Sequence, residues 1–81
     1  MSKMTEANIL EAIERALEIT CGSLKPDALA ENVEGWDSLG HLSILVALDQ
    51  LSEGKAADIT ELADAHSVPK ILMALKKHSL I

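Results

Sequence analysis

The 81-residue chain has no phenylalanine and no tyrosine, and Trp36 is its one Phe/Trp/Tyr-class aromatic. It therefore lacks the aromatic platforms on which nucleic-acid bases stack. One cysteine, Cys21, excludes an internal disulfide framework and suits a reducing, cytoplasmic setting. Basic residues are also scarce. Seven Lys and Arg against 13 Asp and Glu leave a net charge of −6, which argues against nucleic acid and anionic membranes as partners. No strictly apolar run is longer than that of residues 44–48, whereas a membrane span takes about 20. The first residues carry no apolar stretch of the kind a secretory signal needs, so none is expected. His66 and His78 have no metal-ligand spacing to each other or to Cys21, and no metal site is expected.

What the chain does contain is helical periodicity. Ile9, Leu10, Ile13, Ala16, Leu17 and Thr20 follow 3,4 spacing, with Glu11, Glu14, Arg15 and Glu18 assigned to the opposite side. Thr5 is a candidate N-cap and Gly22 a candidate C-terminal stop. Residues 22–37 hold Gly22, Pro26 and Gly35 without a sustained period and read as a long loop, with Leu24, Leu29 and Val33 folding back onto the helices. A loop of that length in a small domain is a candidate functional segment. A second helix is expected over about residues 37–52, capped by Asp37 and ended by Gly54. A short third helix is expected over residues 59–65, with Asp58 as cap and Glu61 completing a capping box. Ser67 caps a fourth, with Pro69 in its first turn, an apolar face of Val68, Ile71, Leu72 and Leu75, and Lys76, Lys77 and His78 at its negative end. The expected fold is all-α: one domain, residues 1–81, forming a four-helix bundle with a long loop between helices one and two and a short third helix.

The second helix is apolar over most of its circumference. Ile44, Leu45, Leu48 and Leu51 fall in one arc, and Leu39, Leu42 and Val46 in another beside it. A bundle of this size cannot easily cover both arcs, so Leu39, Leu42 and Val46 are expected to remain partly exposed next to Ser38. The simpler alternative places all of them in the core.

The sequence Gly35-Trp36-Asp37-Ser38-Leu39, followed by Leu42 and the apolar residues 44–48, resembles the acyl carrier protein family. In that family an Asp-Ser-Leu motif opens the second helix and its serine receives 4′-phosphopantetheine. The tripeptide alone is weak; chain length, acidity and helix order strengthen the likeness. The resemblance implies a carrier, not an enzyme, holding acyl or aminoacyl groups as thioesters on an arm attached to Ser38. Asp37 would assist recognition by a phosphopantetheinyl transferase. Leu39, His41, Leu42 and Val46 would meet loading and processing enzymes, and Ile44, Leu45, Leu48, Ile59, Leu62 and Leu72 would line the acyl chain. A monomer is expected. Fatty-acid carriers have glutamates along helix two, where this chain has Ser43 and Gln50. That departure points to a specialised rather than a housekeeping member.

The residues themselves leave other readings open. A serine in the first turn of a helix meets a positive dipole suited to a phosphodiester, yet it also caps helices by its hydroxyl alone. An unmodified interaction module using the Leu39, Leu42 and Val46 stripe explains the acidity and the apolar face equally well. A hydrolase triad of Ser38, His41 and Asp37 is rejected, because side chains on one turn fan outward and His41 is expected at the surface. Trp36 is expected to anchor the loop, and Cys21 to act as a small buried hydrophobe.

Overall fold

The computed structural model describes residues 5–20 and 22–81; Cys21, and with it the expectation placed on that residue, lies outside them. Among the described residues there are three α-helices and no β-strand: α1 (Glu6–Leu17), α2 (Ser38–Leu51) and α3 (Val68–Lys77). Three 3₁₀ turns complete the chain, at Ala30–Asn32, Lys55–Asp58 and Thr60–Asp64.

Each α-helix begins at the cap the sequence offers. The side chains of Thr5, Asp37 and Ser67 accept from the N–H groups of Asn8, Gly40 and Lys70, satisfying donors that the helix leaves free. The end of α1 differs from expectation, while α2 ends at Leu51, close to the expected residue 52. α1 stops at Leu17, well short of Gly22, because Glu18 itself turns left-handed at φ 56°. Ile19 N then donates to Glu14 O and Glu18 N to Arg15 O, the paired bonds of a Schellman ending. The same pairs recur after α2, around Glu53 at φ 58°, and after α3, around Ser79 at φ 59°. Three non-glycine residues thus occupy a backbone region that disfavours a Cβ by about 1–2 kcal/mol each.

The short third helix is not α-helical. Residues 59–65 instead include the 3₁₀ turn Thr60–Asp64, whose N-cap is Ile59 without any side-chain bond. Asp58 closes the preceding 3₁₀ turn rather than capping, and Glu61 takes no part in a capping box. The reason lies in the apolar spacing. Ala56, Ile59, Leu62, Ala65 and Val68 are all buried and stand three residues apart. A helix of three residues per turn stacks such positions in line, whereas 3.6 residues per turn would rotate them off the core.

The core joins Ile9, Ile13 and Leu17 of α1, Ile44 and Leu48 of α2, and Val68, Ile71, Ala74 and Leu75 of α3, with Leu24 and Trp36 from the long loop. Leu29 was expected to fold inward but is exposed; it is the backbone on either side of it that docks. Ala30 N donates to His66 O at 2.9 Å and Val68 N to Ala28 O at 2.8 Å, an isolated antiparallel bridge tying the loop to the start of α3. Val33 is half-buried against the core, as expected.

Glu14 departs most from the sequence reading. Assigned to the polar side of α1, it is 4% exposed, and its Oε2 accepts from Gly22 N at 2.8 Å and Leu24 N at 2.9 Å. One carboxylate oxygen thus folds the long loop back over the last turn of α1. Glu14→Ala strands both N–H groups, and the expected loss is about 1–3 kcal/mol, read from the urea unfolding midpoint. Glu14→Gln, which keeps an acceptor at that place, should recover part of it.

A second tie joins the third 3₁₀ turn to the end of α3. Lys77 Nζ donates to Glu61 Oε2 at 3.1 Å, and His78 Nε2 lies 3.0 Å from Glu61 Oε1. The bond with His78, then the bond with Lys77, holds the Glu61 carboxyl below its ordinary value of 4.5. A carboxyl lowered in the folded state contributes stability above its ordinary value and loses it as the pH falls through the lowered one. The urea midpoint of Glu61→Gln should therefore lie slightly below that of the parent protein above the ordinary carboxyl range, and the two should converge as the pH falls through the lowered value. The difference is small because the pair is exposed to solvent.

Candidate functional site

The candidate site is the first turn of α2 and the loop that enters it. Asp37 has extended backbone geometry and caps the helix: its Oδ1 accepts from Gly40 N at 2.8 Å, while its carbonyl accepts from His41 N at 2.8 Å. Ser38 is the first helical residue and is exposed. Capping is thus done by Asp37, and among the described residues no hydrogen bond engages the Ser38 hydroxyl. The oxygen faces solvent at the positive end of α2.

The turn is held close to its own entrance loop by two glycines. A Cβ on Gly40 would stand 2.0 Å from Gly35 O and 2.9 Å from Leu17 Cδ2. Gly35 has φ 86°, a conformation that side chains other than glycine's rarely permit. The chain therefore doubles back from Gly35 onto the start of α2, with the Gly35 carbonyl against the Gly40 backbone where any side chain on residue 40 would clash. Nothing in the helical period marks Gly40, which sits inside a helix where glycine is unfavourable; the Gly35 and Gly40 spacing beside a capping Asp37 is the signal that sequence reasoning passed over.

Trp36 anchors the loop, as expected, and is 7% exposed. His41 corrects the expectation. Placed by the sequence reading at the surface among partner-binding residues, it is 7% exposed and lies on the buried face of α2 with Ile44 and Leu48. A polar ring is tolerated there because both nitrogens are satisfied. Trp36 Nε1 donates to His41 Nδ1 at 3.0 Å, and His41 Nε2 lies 2.9 Å from Leu62 O. The His66 ring packs against it with centroids 4.7 Å apart. Asp37 and Ser38 point outward and His41 inward, so the three side chains do not converge, and neither imidazole nitrogen is left for Ser38.

Leu39, Leu42 and Val46 are exposed at 76%, 57% and 50%, and they form one stripe running down α2 from Ser38. The residues read as acyl lining are divided. Ile44, Leu48, Ile59 and Leu62 are closed inside the core, while Leu45 and Leu72 are half-buried at its edge. They do not line either of two hollows formed by the described residues. One, of about 630 Å³, is an open groove between α1 and α2 lined by residues including Ala12, Ala16, Val46 and Ala47. The other, of about 920 Å³, lies under the long loop between Leu17, Leu24, Leu29 and Val33. Among the described residues no cluster of three His, Cys, Asp or Glu side chains could hold a metal ion, and no helix is long and apolar enough to cross a membrane.

No family model matches the chain, and neither a curated protein nor a solved structure matches it. The class that fold and site define is accordingly a physical one: a small all-helical domain presenting one unbonded serine hydroxyl at a helix start, beside an exposed apolar stripe.

The Gly35 and Gly40 contact gives this site its rigidity, and Gly40→Ala tests it. The new methyl meets backbone rather than a flexible side-chain tip, so the expected loss is about 1–3 kcal/mol in urea unfolding. A stability equal to that of the parent protein would mean that the loop and α2 are not held in contact.

Proposed function

We propose that this protein is a carrier whose Ser38 hydroxyl takes a 4′-phosphopantetheine arm from coenzyme A through a phosphopantetheinyl transferase: the Ser38 oxygen bonds to the phosphorus that bears the pantetheine, the pyrophosphate link breaks, and adenosine 3′,5′-bisphosphate leaves. The observation that carries the reading is the exposed Ser38 hydroxyl, unbonded because Asp37 does the capping. The residues fit the group. A phosphodiester on Ser38 would stand at the positive end of α2, where negative charge is stabilised. Asp37 keeps the helix start in place and offers its second carboxylate oxygen to the transferase. The arm supplies a terminal thiol that bears an acyl or aminoacyl group. Leu39, Leu42 and Val46 give partner enzymes an apolar surface continuous with Ser38.

On this reading the four-member bundle of a carrier is built from α1, α2, α3 and the pair of 3₁₀ turns at Lys55–Asp58 and Thr60–Asp64 in place of a short helix. The protein works as a cytoplasmic monomer with a specialised partner set, its helix two being poor in acids. Cargo sheltering requires the core around Ile44, Leu48, Ile59 and Leu62 to open, and the short 3₁₀ turns are the elements with the least backbone bonding to oppose it.

The exposed stripe favours a second reading, an unmodified interaction module that uses Leu39, Leu42 and Val46 and has no need of Ser38. One experiment separates them. The purified protein is incubated with coenzyme A, magnesium and a broad-specificity transferase, and its intact mass and modified site are determined. The carrier reading expects a gain of one phosphopantetheine at Ser38 and none in Ser38→Ala. That variant should unfold within about 0.5 kcal/mol of the parent, since it breaks no hydrogen bond. No gain by a folded protein with several transferases would favour the interaction module.

A further inference from the structure

Trp36, His41 and Leu62 belong to three elements, and two hydrogen bonds through one imidazole join them: the loop entering α2, α2 itself and the 3₁₀ turn Thr60–Asp64. An indole N–H only donates. At 3.0 Å from Trp36 Nε1, His41 Nδ1 must therefore present its lone pair, and the ring proton sits on Nε2, 2.9 Å from Leu62 O. The two partners dictate the tautomer and the charge together, because only neutral imidazole makes both bonds.

We infer that this relay is an acid-opened clasp: a proton added at His41 Nδ1 sets N–H against N–H and releases the Trp36 loop from α2, while Nε2–H keeps its bond to Leu62 O. The surroundings offer the cation nothing in exchange. On α2, Asp37 spends Oδ1 on its cap, and Asp49 lies two turns away. On the 3₁₀ turn, Glu61 is drawn off to Lys77 and His78, and Asp64 is exposed. The Glu14 carboxylate on α1 is turned to Gly22 and Leu24, and Lys70 on α3 is exposed. His66, packed 4.7 Å from His41, adds like charge when it too is protonated. Trp36 is 7% exposed and the ring planes of Trp36 and His41 lie 16° apart, so the indole cannot turn to another acceptor without leaving its place. The clasp is closed while the His41 imidazole is neutral and opens when Nδ1 takes up a proton.

The chain reports on this directly, since Trp36 is its one tryptophan. Tryptophan emission and far-ultraviolet circular dichroism are followed from pH 7.5 to 5. The expected result is a red shift of the Trp36 emission with helicity retained. His41→Gln, which can accept from Trp36 and does not titrate, should abolish the shift, while His66→Gln and His78→Gln keep it. Should His41→Gln fail to fold, NMR of the parent protein decides: the Trp36 indole N–H signal and the His41 ring carbons should move with one midpoint. An emission unchanged down to pH 5, a shift that survives His41→Gln, or an indole signal that ignores the His41 titration would each overturn the clasp. This inference stands without the carrier reading, which is tested separately by Ser38 modification at neutral pH.

Discussion

His41 is the point through which the long loop, α2 and the third 3₁₀ turn are held together. It donates to the Leu62 carbonyl and accepts from the Trp36 indole, and it does so on the face of α2 that also carries Ile44 and Leu48. A buried polar ring in a small core is stabilising only when each nitrogen has a partner, because an unmatched one forfeits its bond to water without replacement. The arrangement therefore requires a tryptophan immediately before the cap, a histidine one turn into the helix, and an irregular backbone carbonyl at Leu62. The 3₁₀ turn Thr60–Asp64 supplies that carbonyl, whose oxygen accepts from Ala65 N at 3.2 Å and has a second lone pair for His41.

Around this point the molecule is ordered at its base and open at its tip. The Glu14 carboxylate draws the first part of the loop onto α1, the bridge at Leu29 and Ser67 ties its middle to α3, and Gly35 against Gly40 seals its end to α2. What emerges from these three fastenings is the turn Asp37 and Ser38, in which only the aspartate is engaged. The scaffold thus presents one unbonded hydroxyl at a helix start, followed by exposed Leu39, Leu42 and Val46. The inward turn of His41 leaves no imidazole nitrogen for Ser38.

Much of the architecture was legible in particular residues. Thr5, Asp37 and Ser67 announce the three helix starts, because a short polar side chain before an apolar period can accept the first free N–H groups. The exposed stripe of α2 follows from an apolar circumference too wide for so small a bundle to cover. Seeking glycine as the left-handed residue places the end of α1 at Gly22, whereas Glu18 takes that conformation and stops the helix at Leu17. The stretch before α3 was read by caps and length as α-helical, although the strict three-residue spacing of Ala56, Ile59, Leu62, Ala65 and Val68 already carried the 3₁₀ period.

The sequence alone determined the helical class, the three capped starts, the position of Ser38 and the surplus of apolar surface on α2. These are consequences of local hydrogen bonding and of periodicity along a single element, which neighbouring residues settle among themselves. Only the tertiary structure decided that Glu14 and His41 are buried and that Gly40 meets Gly35. Each of these depends on a partner contributed from another part of the chain: the N–H groups of Gly22 and Leu24, the Leu62 carbonyl, the Gly35 backbone. A carboxylate or an imidazole on a helix reads as polar until the fold brings it a donor or an acceptor, and only then does burial become favourable.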